Sequence, residues 1–155
     1  MSEIPPQQFA AYPRAESLVN PEAADKLQAL FSGYSVLSFV FIMNIAFAFV
    51  ESYCVQSGNL NLGLGAVVGM VVIIAASTYP SNKKIGYGLG WSPSASIVAS
   101  ILMGINSAFC CGIIGYLVMQ SLAAKGIAKA GVRRRWHGGF TKKDVRARIA
   151  ELRGG

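Results

Sequence analysis

The sequence predicts an all-α integral membrane protein with three transmembrane helices, a polar N-terminal tail and a basic C-terminal tail. The 56 residues between Lys26 and Lys83 contain a single charged side chain, Glu51, and the 40 residues from Ile85 to Ala124 contain none. With 53% hydrophobic and only 14% charged residues, the chain is also too apolar for an ordinary water-exposed surface. These observations place most of the chain in lipid.

Three apolar stretches within residues 28–124 are long enough to cross a bilayer. A hydrocarbon core about 30 Å thick needs roughly 20 apolar residues in a helix. We place the spans at about 30–54, 62–79 and 95–122. Two helices fitted into the last forty uncharged residues would each be short, so we expect one span there rather than two.

The breaks between the spans have their own sequence signals. The polar turn Gln56-Ser57-Gly58-Asn59 predicts that the first two spans form an antiparallel hairpin. Tyr79 to Lys84 contains a proline and two lysines and is expected to end a helix, and Gly86 to Trp91 is typical of a flexible loop with aromatic residues at the membrane interface. Ser92-Pro93 predicts the start of the third span.

The N-terminal tail, residues 1–27, is expected to be disordered or to become ordered only against a partner. It is polar and contains Pro5, Pro6 and Pro13 near its start. Asn20-Pro21-Glu22 marks the approach to a helix that continues into the first span. No basic stretch precedes an apolar segment, so we expect no cleavable signal peptide.

The C-terminal tail, residues 125–155, holds ten of the fourteen basic residues and only two acids. Thr141 is expected to cap a short amphipathic helix with Val145, Ile149 and Leu152 on one face. Because a helix of that length is marginal alone, we expect it to settle on the membrane surface or on a partner. Three arginines and a tryptophan follow the last span at residues 133–136. We expect them to contact anionic headgroups or a partner: Arg133, Arg134, Arg135 and Trp136.

The distribution of basic residues predicts the orientation of the chain. With three spans, four basic residues lie on one side of the membrane and ten on the other. The positive-inside rule then predicts a cytoplasmic C-terminus and an outside N-terminus, although Lys83 and Lys84 would face outside. Nucleic acid is an unlikely partner for the basic tail because only Trp136 and Phe140 could stack on bases.

Small residues on two spans are candidates for helix packing, because close approach of helices in lipid depends on them. They contact either the other spans of the same chain or a second subunit, and the sequence leaves both possibilities open. On the second span they form a GxxxG pair, and on the third they recur at steps of four residues, which keeps them near one helix face. The candidates are Gly65, Gly69, Ser100, Gly104, Ala108 and Gly112.

Three polar residues inside the spans are candidates for a functional role, because an unpaired polar group is costly in lipid. Asn44 and Glu51 lie two turns apart on one face of the first span, and Asn106 lies near the middle of the third. In one interpretation Asn44 and Asn106 form a hydrogen bond across the bundle while Glu51 reaches interfacial water. In the others, Glu51 pairs with a basic residue of a partner subunit, or it is a proton or cation site with Asn44 lining the path.

The sequence predicts no enzyme, cofactor or metal site. The one histidine, His137, lies in the C-terminal tail, and the cysteines have no metal-binding spacing. We therefore expect a non-catalytic structural or accessory subunit of a membrane assembly, with other membrane subunits or further copies of itself as partners. A small oligomeric channel or transporter using Glu51 and Asn44 is the first alternative, and a membrane component of a virus or secretory structure is the second.

Overall fold

A computed structural model describes residues 19–56, 58, 60–110, 113–135 and 139–154. Throughout these ranges the regular structure is helical. The backbone of Glu51 is described, but its side chain is not. The predicted contact residues Gly112 and Trp136 lie outside the described residues, as does most of the predicted N-terminal tail. The helices are α1 (Pro21–Gln56), α2 (Leu60–Leu89), α3 (Pro93–Cys110), α4 (Ile113–Lys129) and α5 (Lys142–Arg153).

Helix α1 begins earlier than the predicted first span. The Asn20 side chain accepts a hydrogen bond of 3.0 Å from the backbone N–H of Ala23, and Pro21 occupies the first helical position, where its missing N–H is not needed. The helix start predicted at Asn20-Pro21-Glu22 is therefore confirmed. Residues 21–27, which the sequence analysis grouped with the polar tail, are helical, and Ala24 and Leu27 are buried. At 36 residues the helix is about 54 Å long, which exceeds the thickness of a hydrocarbon core.

Helix α2 continues through the segment that the sequence predicts as a helix end and a loop. Pro80, Lys83 and Lys84 lie within the helix, which ends only at Leu89. The next residue, Gly90, has a φ of 75°, a left-handed conformation that glycine adopts without strain. The prediction differed because Ser81 and Ile85 are buried in the bundle, and tertiary packing outweighs the local signals of proline and glycine.

The predicted third span, 95–122, is two helices rather than one. Ser92 caps α3 as expected, since its hydroxyl accepts from the N–H of Ala95 at 3.3 Å. A Cβ added to Gly115 of α4 would lie 3.3 Å from Met103 of α3, and two residues twelve apart in one straight helix could not be so close. Helix α4 therefore runs antiparallel to α3.

The expectation of one continuous helix fails because two helices fit here, and α4 does not stop where the uncharged run stops. It continues past Ala124 through Lys125 to Lys129 and so gains five residues that the count of uncharged residues omitted. The two helices contain 18 and 17 residues, about 27 and 26 Å. Hydropathy alone contains no information about where such a stretch reverses.

Four antiparallel helices bring both ends of the described chain to the same end of the bundle. A Cβ on Gly126 of α4 would lie 3.0 Å from Leu30 near the start of α1 and 3.0 Å from Leu89 at the end of α2. The backbone N–H of Asn20 donates to the carbonyl of Leu152 at 2.8 Å. We call this end, which comprises α5, the start of α1 and the ends of α2 and α4, the basic end.

Helix α5 forms as the sequence predicts, but it packs on its own chain. The hydroxyl of Thr141 accepts from the N–H of Asp144 at 3.2 Å, and Gly154 caps the other end with a φ of 83°. Val145 and Leu152 are buried in a core shared with the first turns of α1. Packing against α1 therefore stabilises this short helix, which would be marginal alone.

Candidate functional site

The interior of the bundle is unusually polar for a set of apolar helices. Seven buried polar side chains lie between the helices, and each is at most 3% exposed: Asn44, Thr78, Ser81, Asn82, Ser96, Ser100 and Ser107. Several of the hydroxyl groups donate to carbonyl oxygens one turn earlier in their own helix, as Thr78 does to Ile74 at 2.8 Å. Such bonds let a helix carry serine and threonine inside a bundle without an external partner.

Asn82 links α2 to α3. It is fully buried, and its amide nitrogen Nδ2 donates to the hydroxyl of Ser100 at 2.9 Å and lies 3.4 Å from the sulfur of Met103. Its carbonyl oxygen Oδ1 has no hydrogen-bond partner among the described residues. Asn82 was not predicted as a buried polar residue, because Tyr79 to Lys84 was expected to end a helix between two spans.

A second polar link joins α4 to α1. The amide of Gln120 donates to the hydroxyl of Tyr116 at 2.8 Å, and that hydroxyl donates to Ser38 at 3.2 Å. The ring of Tyr116 stacks on Phe41, with 4.2 Å between the ring centroids. Tyr116 and Gln120 stand one turn apart in an otherwise apolar stretch, and this spacing is the sequence signal that could have identified them.

A small cavity lies among these groups. Its volume is about 10 Å³, roughly enough for the centre of one water molecule. Asn44, Thr78 and Tyr116 contribute polar groups to its lining, and Leu37, Ile74 and Met103 contribute apolar ones. The predicted intramembrane residue Asn44 therefore faces a solvent-sized space inside the bundle, but this space is far too small to be a continuous pore.

The other two predicted polar residues lie elsewhere. Asn106 is partly buried near Gly115 of α4, and its amide nitrogen Nδ2 has no hydrogen-bond partner among the described residues. The backbone of Glu51 belongs to α1, five residues before its end. The structure thus brings Asn44 to the cavity and does not place Asn106 in its lining.

The small residues predicted on the third span pack against α2 of the same chain. A Cβ on Gly104 would lie 2.5 Å from the carbonyl oxygen of Val71 and 2.9 Å from the Cβ of Ala75. Ser100 is buried one turn earlier, and Ala108 is partly buried one turn later. This stripe therefore packs on α2 of the same chain at Ser100 and Gly104.

The glycine pair on α2 has a different environment. A Cβ added to Gly65 or to Gly69 would meet no atom within 4 Å among the described residues. Large apolar side chains flank the pair, and Leu64, Val68 and Val72 are each at least half exposed. No helix of the described chain covers the GxxxG face of α2. In contrast, Gly33 of α1 packs closely on α2, since an added Cβ would lie 2.8 Å from the carbonyl oxygen of Ser81.

Most charged residues of the described chain lie at the basic end. Thirteen of the fourteen lysines and arginines and four of the seven acids lie there, whereas Glu51 lies near the opposite end. Lys83 and Lys84, which conflicted with the orientation predicted for three spans, lie at the same end of the bundle as the C-terminal cations, because the chain reverses between α3 and α4. Lys84 is held there by a 3.0 Å hydrogen bond to the hydroxyl of Ser32.

Each of these four acids is ion-paired. Glu22 pairs with Lys26 at 2.6 Å, and the hydrogen bond and the charge of Lys26 lower the pKa of Glu22 and correspondingly raise the pKa of Lys26. The remaining pairs are Asp25 with Arg153, Asp144 with Arg135 and Glu151 with Arg148. Cations at this end therefore remain in large excess.

Comparisons with models of known protein families, with curated protein sequences and with solved structures find no match to this chain. The features of the described chain that bear on function are the polar interior, the open face of α2 and the basic end.

Proposed function

We propose that this chain is a multi-pass membrane protein that acts, without chemistry of its own, as a structural or accessory subunit of a membrane assembly. Helices α1 and α2 are long and apolar enough to span a bilayer, yet only 22% of the residues in the most apolar window of each are buried. A core helix of a water-soluble protein would be mostly buried. In a membrane, the exposed apolar side chains of α1 and α2 would contact lipid instead of water.

The orientation follows from the positive-inside rule. With four passes, the described lysines and arginines all lie on one side, and we place that side in the cytoplasm. This arrangement keeps the predicted cytoplasmic C-terminus and moves the N-terminus to the same side. It leaves short connections at the other end.

The open glycine face of α2 is the observation that carries the accessory role. In lipid, helices associate where small residues let their backbones approach, and Gly65 and Gly69 are not used for this within the chain. The exposed flanking residues Leu64, Val68 and Val72 would pack around a helix docked there. We propose that this helix belongs to another subunit or to a second copy of the chain.

Replacing both Gly65 and Gly69 with leucine should remove the lateral partner and leave the bundle folded. We expect loss of the associated chain, or of the oligomer, when the protein is purified in mild detergent and analysed by native gel and mass spectrometry. Ala46→Leu, at an exposed small residue of α1, is the control and should retain the partner. An unchanged set of co-migrating chains in the double variant would count against the proposal.

Transport is the second candidate function, and the buried polar groups around Asn44 favour it. The proposed accessory role predicts that Glu51→Gln leaves proton and cation flux into proteoliposomes at the level of protein-free vesicles, as in the unmodified chain. A flux that the unmodified protein supports and Glu51→Gln abolishes, with assembly intact, would establish transport instead.

A further inference from the structure

A groove of about 500 Å³ lies between α1 and α5 at the basic end. Its α1 wall includes Gln28, Ser32 and Ser35, and its α5 wall includes Lys142 and Arg146. On each helix these residues recur at steps of three and four, so they follow one helix face. The groove therefore runs lengthwise along both helices.

Contacts near the two ends of α5 fix its direction relative to α1. The guanidinium of Arg153 donates to the carboxylate of Asp25 at 2.8 Å. The ring of Phe140, two residues before α5, packs edge-on against Tyr34, with 6.1 Å between the ring centroids. Helix α5 therefore runs against the direction of α1. Its first turn, with Lys142, lies at the end of the groove that leads towards the middle of α1.

The cations at this end of the groove are not neutralised. Lys142 and Arg146 form no ion pair or hydrogen bond among the described residues, and no acid lines the groove. Lys84 adds a charge at the α1 wall, where its ammonium group donates to the hydroxyl of Ser32 at 3.0 Å. Arg153, at the other end, is already paired with an acid. An anion in this groove would therefore be held at the end that contains Lys142.

The groove opens at this same end onto an apolar face of α1. Val36 lines the groove and is 39% exposed, and Phe39 and Ile42 follow at steps of three, each 64% exposed. The helix rises about 10 Å from Ser32 to Phe39. Cations and hydroxyl groups are thus followed by exposed apolar side chains, in the order in which a phospholipid presents its phosphate and its acyl chains. An acidic peptide would match the cations but not the apolar side chains beyond them.

We propose that this groove binds one anionic phospholipid, with its phosphate beside Lys142, Arg146 and Lys84 and an acyl chain along Val36 and Phe39. The inference rests on the proposed membrane location. Lysine and arginine clusters beside a membrane helix on its cytoplasmic side attract anionic headgroups. Because α1 and α5 form the two walls, the bound lipid would hold the C-terminal helix against α1 at the membrane surface.

Native mass spectrometry of the full-length chain in detergent tests this site. The probe is phosphatidylglycerol, phosphatidylcholine with the same acyl chains is the comparison without net charge, and inorganic phosphate is the competitor. We expect saturable binding of one phosphatidylglycerol that millimolar phosphate does not displace, because the acyl chain contributes to binding.

The variant Lys142→Gln with Arg146→Gln should bind phosphatidylglycerol about ten- to thirty-fold more weakly. Both side chains are exposed and unpaired, and a cation in the first turn opposes the helix dipole, so this variant should keep its fold. Ser35→Trp, at an exposed residue of the α1 wall, should fill the groove without changing its charge and reduce binding to a similar extent.

The matched control is Lys143→Gln with Arg133→Gln, which removes the same charges from exposed residues outside the groove and should change binding less than threefold. Equal losses in the two double variants would overturn the site in favour of general charge attraction. Displacement by phosphate, or equal binding of phosphatidylcholine, would overturn the lipid assignment, as would an acidic peptide retained in the groove in place of lipid. Extraction of the protein from membranes by alkaline carbonate would instead refute the membrane location, so the two failures are distinguishable.

Discussion

Replacing Gly104 with alanine should destabilise the bundle by about 1–3 kcal/mol or more, because the added methyl group has no room. Its carbon would lie 2.5 Å from the carbonyl oxygen of Val71 and 2.9 Å from the Cβ of Ala75, both on α2. Since the first of these is a backbone atom, relief requires α2 and α3 to move apart. That movement would strain the buried hydrogen bond between Asn82 and Ser100.

The free energy of unfolding by SDS in mixed micelles measures this effect. The control is Gly65→Ala on α2, where the new methyl group meets nothing within 4 Å among the described residues. Alanine favours a helix over glycine by up to about 1 kcal/mol, so the control should be neutral or stabilising. Equal stability of the two variants would mean that α2 and α3 do not pack as described.

Replacing Val145 with aspartate should detach α5 from the bundle. Val145 is 1% exposed in the core that α5 shares with α1, and a carboxylate there loses its hydration without gaining a partner. Because α5 has only 12 residues, it should lose its helical structure once undocked. Limited trypsin digestion should then cleave rapidly at Lys142, Lys143 and Arg146, while the rest of the chain resists.

Ala147→Asp provides the comparison for this second effect. Ala147 is exposed on the same helix, so the same charge is introduced without burial, and the digestion pattern should match that of the unmodified chain. If Val145→Asp digests no faster than Ala147→Asp, α5 does not depend on docking to α1.

The parts of this fold that the sequence predicted are those decided by local chemistry or by long apolar runs. The presence of two long apolar helices, α1 and α2, the start of α3 at Ser92-Pro93 and the cap of α5 at Thr141 all follow from residues close to them in the chain. The parts that it missed depend on contacts between distant residues. Pro80 lies inside a helix because its neighbours are buried by α1 and α3.

The reversal between α3 and α4 shows the same dependence. Nothing local in the 40 uncharged residues from Ile85 to Ala124 indicates whether the chain continues in one direction or turns back, and the close packing of Gly115 on Met103 decides it. The candidate sites follow this pattern too. Asn44 was predictable as an isolated amide in an apolar run, whereas the burial of Asn82 and its hydrogen bond to Ser100 depend on the assembled helices.

The most direct test of the account is the side of the membrane on which the two ends of the chain lie. Single cysteines would be introduced at Ser2, Asn61 and Lys143 in a chain whose native cysteines are replaced by alanine, and intact cells would be labelled with a membrane-impermeant maleimide. We expect labelling at position 61 without permeabilisation, and at positions 2 and 143 only after it. Labelling of position 2 but not of position 143 in intact cells would contradict the four-pass arrangement and restore the three-span one.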